Sequence, residues 1–252
     1  MFAQQSHSQY PNNLPKSKGG TALLQTAKTL LGKPYVAGVL DRNPKEQLIV
    51  NLDELDCWTF VEQTLALYQT QQSPTPNWTT FRKNLQQLRY RQGKVNGYGS
   101  RLHYFFEWML QAQQNSVLSL KTNNLTGKPY AKRIDFMSTH VQLYPHLADQ
   151  EAYETVMAAE ANLNLQQWYY VPKAEVAHIE NQLEDGDIIA ITSAKEGLDV
   201  AHEGFAIRQK GRIYLLHASQ DFKKVMISNE PLADYLAKHK AQTGIVVARL
   251  QQ

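Results

Sequence analysis

The sequence has little cysteine and no long hydrophobic segment. Cys57 is the single cysteine among 252 residues, so an internal disulfide framework is excluded and cysteine content says nothing about the compartment. The longest apolar runs, such as 188–191 and 245–248, span four residues, far fewer than the roughly 20 that a membrane-spanning helix needs. We therefore expect a soluble protein without a membrane span.

Long runs of one charge and the common metal and phosphate motifs are also missing. The 26 Lys and Arg residues nearly balance the 23 Asp and Glu residues, for a formal net charge of +3, and no five like charges stand in a row. This pattern gives no indication of a nucleic acid partner. Because there is no His-Glu-x-x-His, no cysteine pair and no Gly-rich phosphate loop, we expect no metal and no cofactor.

The chain does contain enough apolar residues for a core, arranged as helices first and strands afterwards. Residues 1–20 are mostly polar and predict a flexible lead-in, followed by a single domain over 21–252. Helical spacing predicts helices over 21–31, 57–68, 81–88, 102–114, 149–162 and 172–183. Short β-branched segments predict strands over 188–192, 204–207, 213–217, 225–228 and 245–250. This order is typical of an α+β fold with an antiparallel sheet.

The cysteine begins one of the predicted helices. Asp56 precedes Cys57 as a candidate N-cap, and apolar residues follow at helical spacing. Free backbone N–H groups and the positive end of the helix dipole lower the pKa of a thiol when a cation is near, which would make Cys57 a nucleophile. A lone cysteine is more often a small buried apolar residue, and position alone does not decide between the two.

Two histidines lie where neighbouring strands can bring them together. His202 begins one predicted strand and His217 ends the next, and antiparallel pairing places the start of one strand beside the end of its neighbour. A nucleophilic thiol needs an imidazole for proton transfer and a third polar group to orient that imidazole. Taken alone, a histidine at a strand edge is more often an ordinary surface or hydrogen-bonded residue than a catalytic one.

Several short motifs follow one another along the chain. They are GKPYV at 32–36, DCWTFV at 56–61, GDII at 186–189, HEGFAI at 202–207 and LHAS at 216–219. This ordered set resembles the NlpC-type superfamily of papain-like cysteine hydrolases, which cut bacterial cell-wall peptides and amides. Trp58 and Thr59 stand where that superfamily usually has Ser-Gly, so backbone packing beside the cysteine is expected to differ.

The resemblance implies a papain-like α+β fold in which the nucleophile helix packs on a small antiparallel sheet. It assigns Cys57 as the nucleophile, His202 as general base and acid, and His217 as the group that orients His202. Tyr35 would lie beside the thiol and support the nucleophile or the oxyanion. The backbone N–H of Cys57 would supply part of the oxyanion hole.

The long interval between the cysteine and the strands is a second departure from a minimal domain of this superfamily. Residues 70–180 are expected to form a mostly helical insertion that reshapes the substrate cleft. The segments 100–104 and 137–140 resemble a branch associated with N-acetylmuramoyl-L-alanine amidase activity. Within the insertion, Arg101 with its neighbours His103 and Tyr104 is the candidate substrate-binding group, because a guanidinium pairs well with a carboxylate.

The resemblance thus implies a monomeric cysteine amidase that acts on peptidoglycan or soluble muropeptides at the bond between N-acetylmuramic acid and L-alanine. The γ-D-glutamyl to diamino-acid bond is the alternative bond, and a wall-fragment binding module with an inert thiol is the alternative of another class. The N-terminal residues lack the basic and apolar regions of a secretory signal. A periplasmic or secreted location is therefore expected from the substrate alone.

Overall fold

The computed structural model describes residues 10–11 and 14–251. Within these residues, eight strands form one antiparallel sheet in the order β2-β3-β8-β4-β5-β6-β7, with β1 also paired to β8. The strands are β1 Leu118–Leu120, β2 Lys128–Pro129, β3 Tyr169–Pro172, β4 Ile188–Ser193, β5 Val200–Gln209, β6 Arg212–Ser219, β7 Lys224–Ile227 and β8 Gln242–Leu250.

Helices cover both faces of the sheet. In the described part of the chain they are α1 Gly20–Lys28, α2 Cys57–Gln71, α3 Trp78–Arg89, α4 Phe105–Gln114, α5 Phe136–Thr139, α6 Gln150–Leu165, α7 Val176–Ile179 and α8 Leu232–Lys238. None of these helices is both long and apolar enough to cross a membrane.

The strand residues alternate between two hydrophobic clusters. Ala190 and Phe205 belong to the larger cluster, which also includes Phe60 of α2. Ile191 and Ala206 belong to the smaller cluster, which also includes Leu236 of α8. Because successive strand residues point to opposite faces, α2 and α8 lie on opposite faces of the sheet.

The α+β architecture expected from the sequence is confirmed. All five predicted strands are present, as β4 to β8, and each is within a few residues of its predicted bounds. Three further strands were missed, and they place residues 118–120, 128–129 and 169–172 on the same sheet. Helices still predominate in the region 70–180, and these three short strands join it to the sheet.

Part of the predicted flexible lead-in packs against the domain. Tyr10 and Leu14 are buried in the larger cluster, and the Tyr10 ring meets the Trp78 ring edge-on at 5.4 Å. The Tyr68 hydroxyl of α2 accepts a hydrogen bond from the Gly19 backbone N–H at 3.0 Å. Two apolar side chains within a polar segment thus suffice to join it to the core. Residues 1–9, 12 and 13 of the lead-in lie outside the described residues.

Candidate active site

A reciprocal cap fixes the start of α2, where Cys57 is the first helical residue. The Asp56 carboxylate accepts the Thr59 backbone N–H at 2.8 Å, and the Thr59 hydroxyl oxygen accepts the Asp56 N–H at 2.9 Å. This capping box satisfies two backbone donors. Glycine could not make the second bond, so the departure at Thr59 from the Ser-Gly pattern has a structural role.

Trp58, the other residue that differs from the Ser-Gly pattern, also has a structural role. Its ring packs edge-on against Phe105 of α4, with ring centroids 5.2 Å apart. Such aromatic pairs add to the stability gained from burial. The residue after the cysteine therefore joins α2 to the region 70–180 through a contact that serine could not make.

Cys57 is half-buried, and its thiol interacts with the Glu203 carboxyl of β5. Burial raises the pKa of Cys57 well above its ordinary value, and the charges of Asp56 and of Glu203, when Glu203 is ionised, raise it further. The helix N-terminus by itself favours a lowered thiol pKa. Here desolvation, the largest effect, outweighs it, so the resting sulfur is a thiol.

His202 and His217 form a buried pair on the neighbouring strands β5 and β6. The Nε2 atom of His202 and the Nδ1 atom of His217 are 2.5 Å apart, and the two rings meet edge-on. Burial lowers the pKa of His202 well below its ordinary value, and it lowers the pKa of His217 to about 4. Both imidazoles are therefore neutral at pH 7, and one ring N–H donates to the other ring.

The strand register decides which face each of these groups occupies. Glu203 is opposite Ala190 of the larger cluster, and His202 is opposite Ile191 of the smaller one. Glu203 thus faces α2 and Cys57, whereas the histidine pair lies on the other face. A register shift between Ile191 and Thr192 marks an irregularity directly before His202, and bulges re-aim the side chains beside them.

Tyr235 of α8 links the two halves of the site. Its ring contacts the His217 ring at 5.6 Å between centroids, and the Cys57 thiol contributes to raising the pKa of Tyr235. The thiol also interacts with Glu203, which is next to His202 in β5. The thiol and the imidazole pair therefore share one end of the sheet.

Tyr35, expected to support the thiol, interacts electrostatically with Cys57. Its backbone is held between Leu55, in a parallel bridge, and Lys223, whose carbonyl accepts the Tyr35 N–H at 2.9 Å. Burial raises the pKa of Tyr35, followed by the effects of Cys57, Asp56 and Glu203. Its phenol is consequently protonated and can donate a hydrogen bond into the site.

Arg101 is engaged by carboxylates of the protein itself. Its side chain is only 7% exposed and lies 2.5 Å from Asp41 and 3.3 Å from Glu46, with its guanidinium over the Tyr98 ring. Asp41 also raises the pKa of Asp56, so this ion pair lies near the start of α2. A substrate carboxylate would have to compete with both acidic side chains for Arg101.

His103 and Tyr104 are turned inward. The His103 Nε2 atom is 2.9 Å from the Tyr98 carbonyl oxygen. The Tyr104 side chain is about 1% exposed; its hydroxyl donates to Glu160 at 2.6 Å and accepts the Met137 N–H at 2.7 Å. The structure therefore places Tyr104 in the core, where Glu160 and the Met137 N–H already bind its hydroxyl.

Glu203 is the residue that the sequence analysis missed. It is 3% exposed and stands at the position after the histidine, where the motif of the resembling superfamily has an apolar residue. Strand alternation was the available signal, because the residue next to a His202 on one face of the sheet must point to the other face, toward α2. In the described part of the chain, no group of three or more His, Cys, Asp or Glu side chains is arranged to hold a metal ion.

Comparison with known proteins agrees with an amidase-like α+β protein. A family model described as AmiA-like, N-acetylmuramoyl-L-alanine amidase-like, matches residues 25–245. The chain belongs to this family. None of the curated proteins compared with the chain matches it.

Solved structures resemble the chain over nearly its whole length. An N-acetylmuramoyl-L-alanine amidase from Bacteroides uniformis is 38% identical, with a TM-score of 0.87 over 92% of this chain and 99% of that one. A protein from Bacteroides fragilis provisionally named a xylanase is 36% identical, with a TM-score of 0.83 over 90% and 100%. Protein LPG0564 from Legionella pneumophila, 20% identical with a TM-score of 0.69 over 93% and 90%, shares the fold.

Proposed function

We propose that the protein is a cysteine amidase of the papain-like, NlpC-type fold. Its substrate is a peptidoglycan fragment, and it cleaves the amide between N-acetylmuramic acid and L-alanine. The observation that carries the proposal is Cys57 at the capped start of α2, at the same end of the sheet as the His202–His217 pair, in a chain of the AmiA-like family.

In the proposed reaction, the thiol proton of Cys57 passes to His202 around the end of the sheet that both groups share, because strand register turns the two side chains to opposite faces. His217 holds the His202 ring. The sulfur then attacks the amide carbonyl, and His202 returns the proton to the departing amino group of L-alanine. Water hydrolyses the resulting thioester. The Cys57 N–H, at a helix N-terminus, and the Tyr35 hydroxyl are placed to stabilise the oxyanion.

A groove beside the Arg101 ion pair is a candidate path for the substrate. It has a volume of about 680 Å³, and its lining includes Glu46, Tyr98 and His146. The first two of these residues contact or pair with Arg101. A groove of this size accommodates a small muropeptide, and Arg101 would act there together with its carboxylate partners.

The test is product analysis on a defined muropeptide that carries both candidate bonds. Mass spectrometry should detect a free muramic acid sugar and a peptide that begins with L-alanine. Release of a shorter peptide with the sugar still bound to L-alanine would instead indicate cleavage at the γ-D-glutamyl bond. Binding without any product would indicate a wall-fragment binding module, and release of xylose oligomers from xylan would indicate a glycosidase.

We further propose that the protein acts as a monomer outside the cytoplasm, in the periplasm or after secretion. The proposed substrate supports this location, because peptidoglycan lies beyond the cytoplasmic membrane. Sedimentation of the purified protein over a range of concentrations tests the oligomeric state.

A further inference from the structure

The Glu203 carboxyl is buried directly against the sulfur that is proposed to react. It is 3% exposed, and strand register turns it toward α2. The Phe60 ring of α2 packs edge-on against Phe205 at 5.5 Å, which fixes the distance between helix and strand two residues further along β5. These rigid elements hold the Glu203 carboxyl near the first turn of α2, and the carboxyl and the Cys57 thiol interact there.

We propose that Glu203 is a catalytic partner of Cys57: it donates a hydrogen bond to the sulfur when the thiolate forms, and the nucleophile functions only while this carboxyl is protonated. The proposal rests on the proposed role of Cys57 as the nucleophile. When the S–H bond of Cys57 breaks, its proton passes to His202 and the electron pair stays on sulfur. The carboxyl keeps its own proton and turns it toward the sulfur.

The electrostatic surroundings keep the carboxyl neutral. Burial raises the pKa of Glu203 to about 8, and the nearby carboxylates of Asp56, Asp199 and Glu62 raise it as well, whereas the hydrogen bond with Cys57 lowers it. Tyr35 is a further titratable group that interacts with Glu203. Arg89, the cation beside Glu62, is paired with Glu62 at 2.5 Å.

Ionisation of Glu203 reverses its effect on the sulfur. A protonated carboxyl stabilises a thiolate by a charge-assisted hydrogen bond. An ionised carboxylate can only accept from the S–H group, and its charge opposes a second negative charge beside it. Because the two groups interact strongly, they titrate as a pair. Thiolate formation should therefore show an inflection near the pH at which Glu203 ionises.

The experiment uses the single cysteine, since alkylation by iodoacetamide then reports on Cys57 alone. The rate is measured from pH 5 to 10 for the wild-type protein, Glu203→Gln and Glu203→Val. Glu196→Gln, at an exposed position between β4 and β5, is the matched control. Gln has an N–H donor but cannot ionise. Val has no donor and cannot ionise.

At pH 7 we expect Glu203→Gln to alkylate within about twofold of the wild-type rate, and Glu203→Val about tenfold more slowly because it lacks the donor. At pH 9 to 10, Glu203→Gln should exceed the wild-type rate by about tenfold, and the inflection near pH 8 should be gone. Glu196→Gln should follow the wild-type curve throughout. Near-UV circular dichroism checks the fold of each variant.

An unchanged rate in Glu203→Val at pH 7, or a retained inflection in Glu203→Gln, overturns the proposal. If Glu203→Val does not fold, the comparison of Glu203→Gln with the wild type decides alone. Alkylation needs no substrate and therefore tests the Glu203–Cys57 pair separately from the proposed function. If the expected alkylation rates are found but the protein cleaves no muropeptide, the proposed function is removed and the Glu203–Cys57 pair is kept. Full muropeptide cleavage at pH 7 by Glu203→Val would instead keep the proposed function and remove the catalytic role of Glu203.

Discussion

The side chains of His202 and His217 are joined by a 2.5 Å contact between ring nitrogens in a buried site, and both imidazoles are neutral. A neutral pair leaves one acceptor nitrogen available for a proton from the nucleophile. The same burial makes each histidine a weaker base than in water. The pair is therefore suited to transient proton transfer more than to a permanent thiolate–imidazolium pair.

Replacing Cys57 should abolish turnover without unfolding the protein. Cys57→Ala removes the sulfur, and Cys57→Ser offers a far weaker nucleophile in a site shaped for sulfur. Both variants should keep the wild-type melting temperature within a few degrees. Muropeptide cleavage is followed by mass spectrometry, and more than a few per cent of wild-type activity in Cys57→Ala would remove Cys57 from the mechanism.

His202→Ala should cost more activity than His217→Ala. The first change removes the group that transfers the proton, whereas the second leaves that imidazole present but less well oriented. Measurement of kcat/KM across pH for both variants separates the two roles. A larger loss in His217→Ala would mean that the roles of the two histidines are exchanged.

The buried histidines should also make the fold sensitive to acid. The pKa of His217 is lowered to about 4 in the folded protein and is about 6.5 in an unfolded chain. The unfolded state thus binds more protons between these values, and stability falls as the pH falls from about 6.5 to 4. His217→Gln should reduce this loss by about 2 kcal/mol.

Urea unfolding at pH 7 and pH 4.5 measures that effect. His178→Gln, on the exposed surface of α7, serves as the control and should leave the pH dependence unchanged. Equal pH dependence in His217→Gln and the wild type would show that His217 is not buried in its neutral form.

Arg101→Ala should destabilise the protein by about 3 kcal/mol, because it leaves the nearly buried Glu46 carboxylate without its partner. Arg82→Ala, on the exposed face of α3, should change stability by less than about 0.5 kcal/mol. A direct substrate contact by Arg101 would add a loss of kcat/KM at temperatures where both variants are folded. An unchanged melting temperature in Arg101→Ala would contradict the structural ion pair.

Asp56→Ala should cost about 1–2 kcal/mol of stability through loss of the α2 cap. The matched change is Asn77→Ala at the start of α3, where the Asn77 side chain accepts a single bond from the Thr80 N–H at 2.9 Å. The Asp56 carboxylate accepts both the Thr59 N–H and the Thr59 O–H, each at 2.8 Å, so its loss should be the larger. Thermal unfolding of the two variants compares them, and equal losses would argue against a contribution from the bond with the Thr59 hydroxyl.

Local sequence patterns determined much of the architecture. The Asp56 cap with its apolar spacing marks the nucleophile helix, and β-branched runs mark the five strands β4 to β8, because both signals depend on neighbouring residues. The strands β1 to β3 were missed because they are two to four residues long and exist through pairing with distant segments. The helix expected over 172–183 is reduced to α7, and α8 was not expected.

The chemistry of the candidate site depended far more on tertiary structure. From the sequence, Cys57 had a helix N-terminus that favours a thiolate, and Arg101 had free donors for a substrate. In the folded chain, burial keeps Cys57 as a thiol, and Asp41 and Glu46 occupy Arg101. Sequence fixes the residue types, their order and their local caps. Desolvation and charge pairing between residues up to about 150 positions apart are set only when the chain packs.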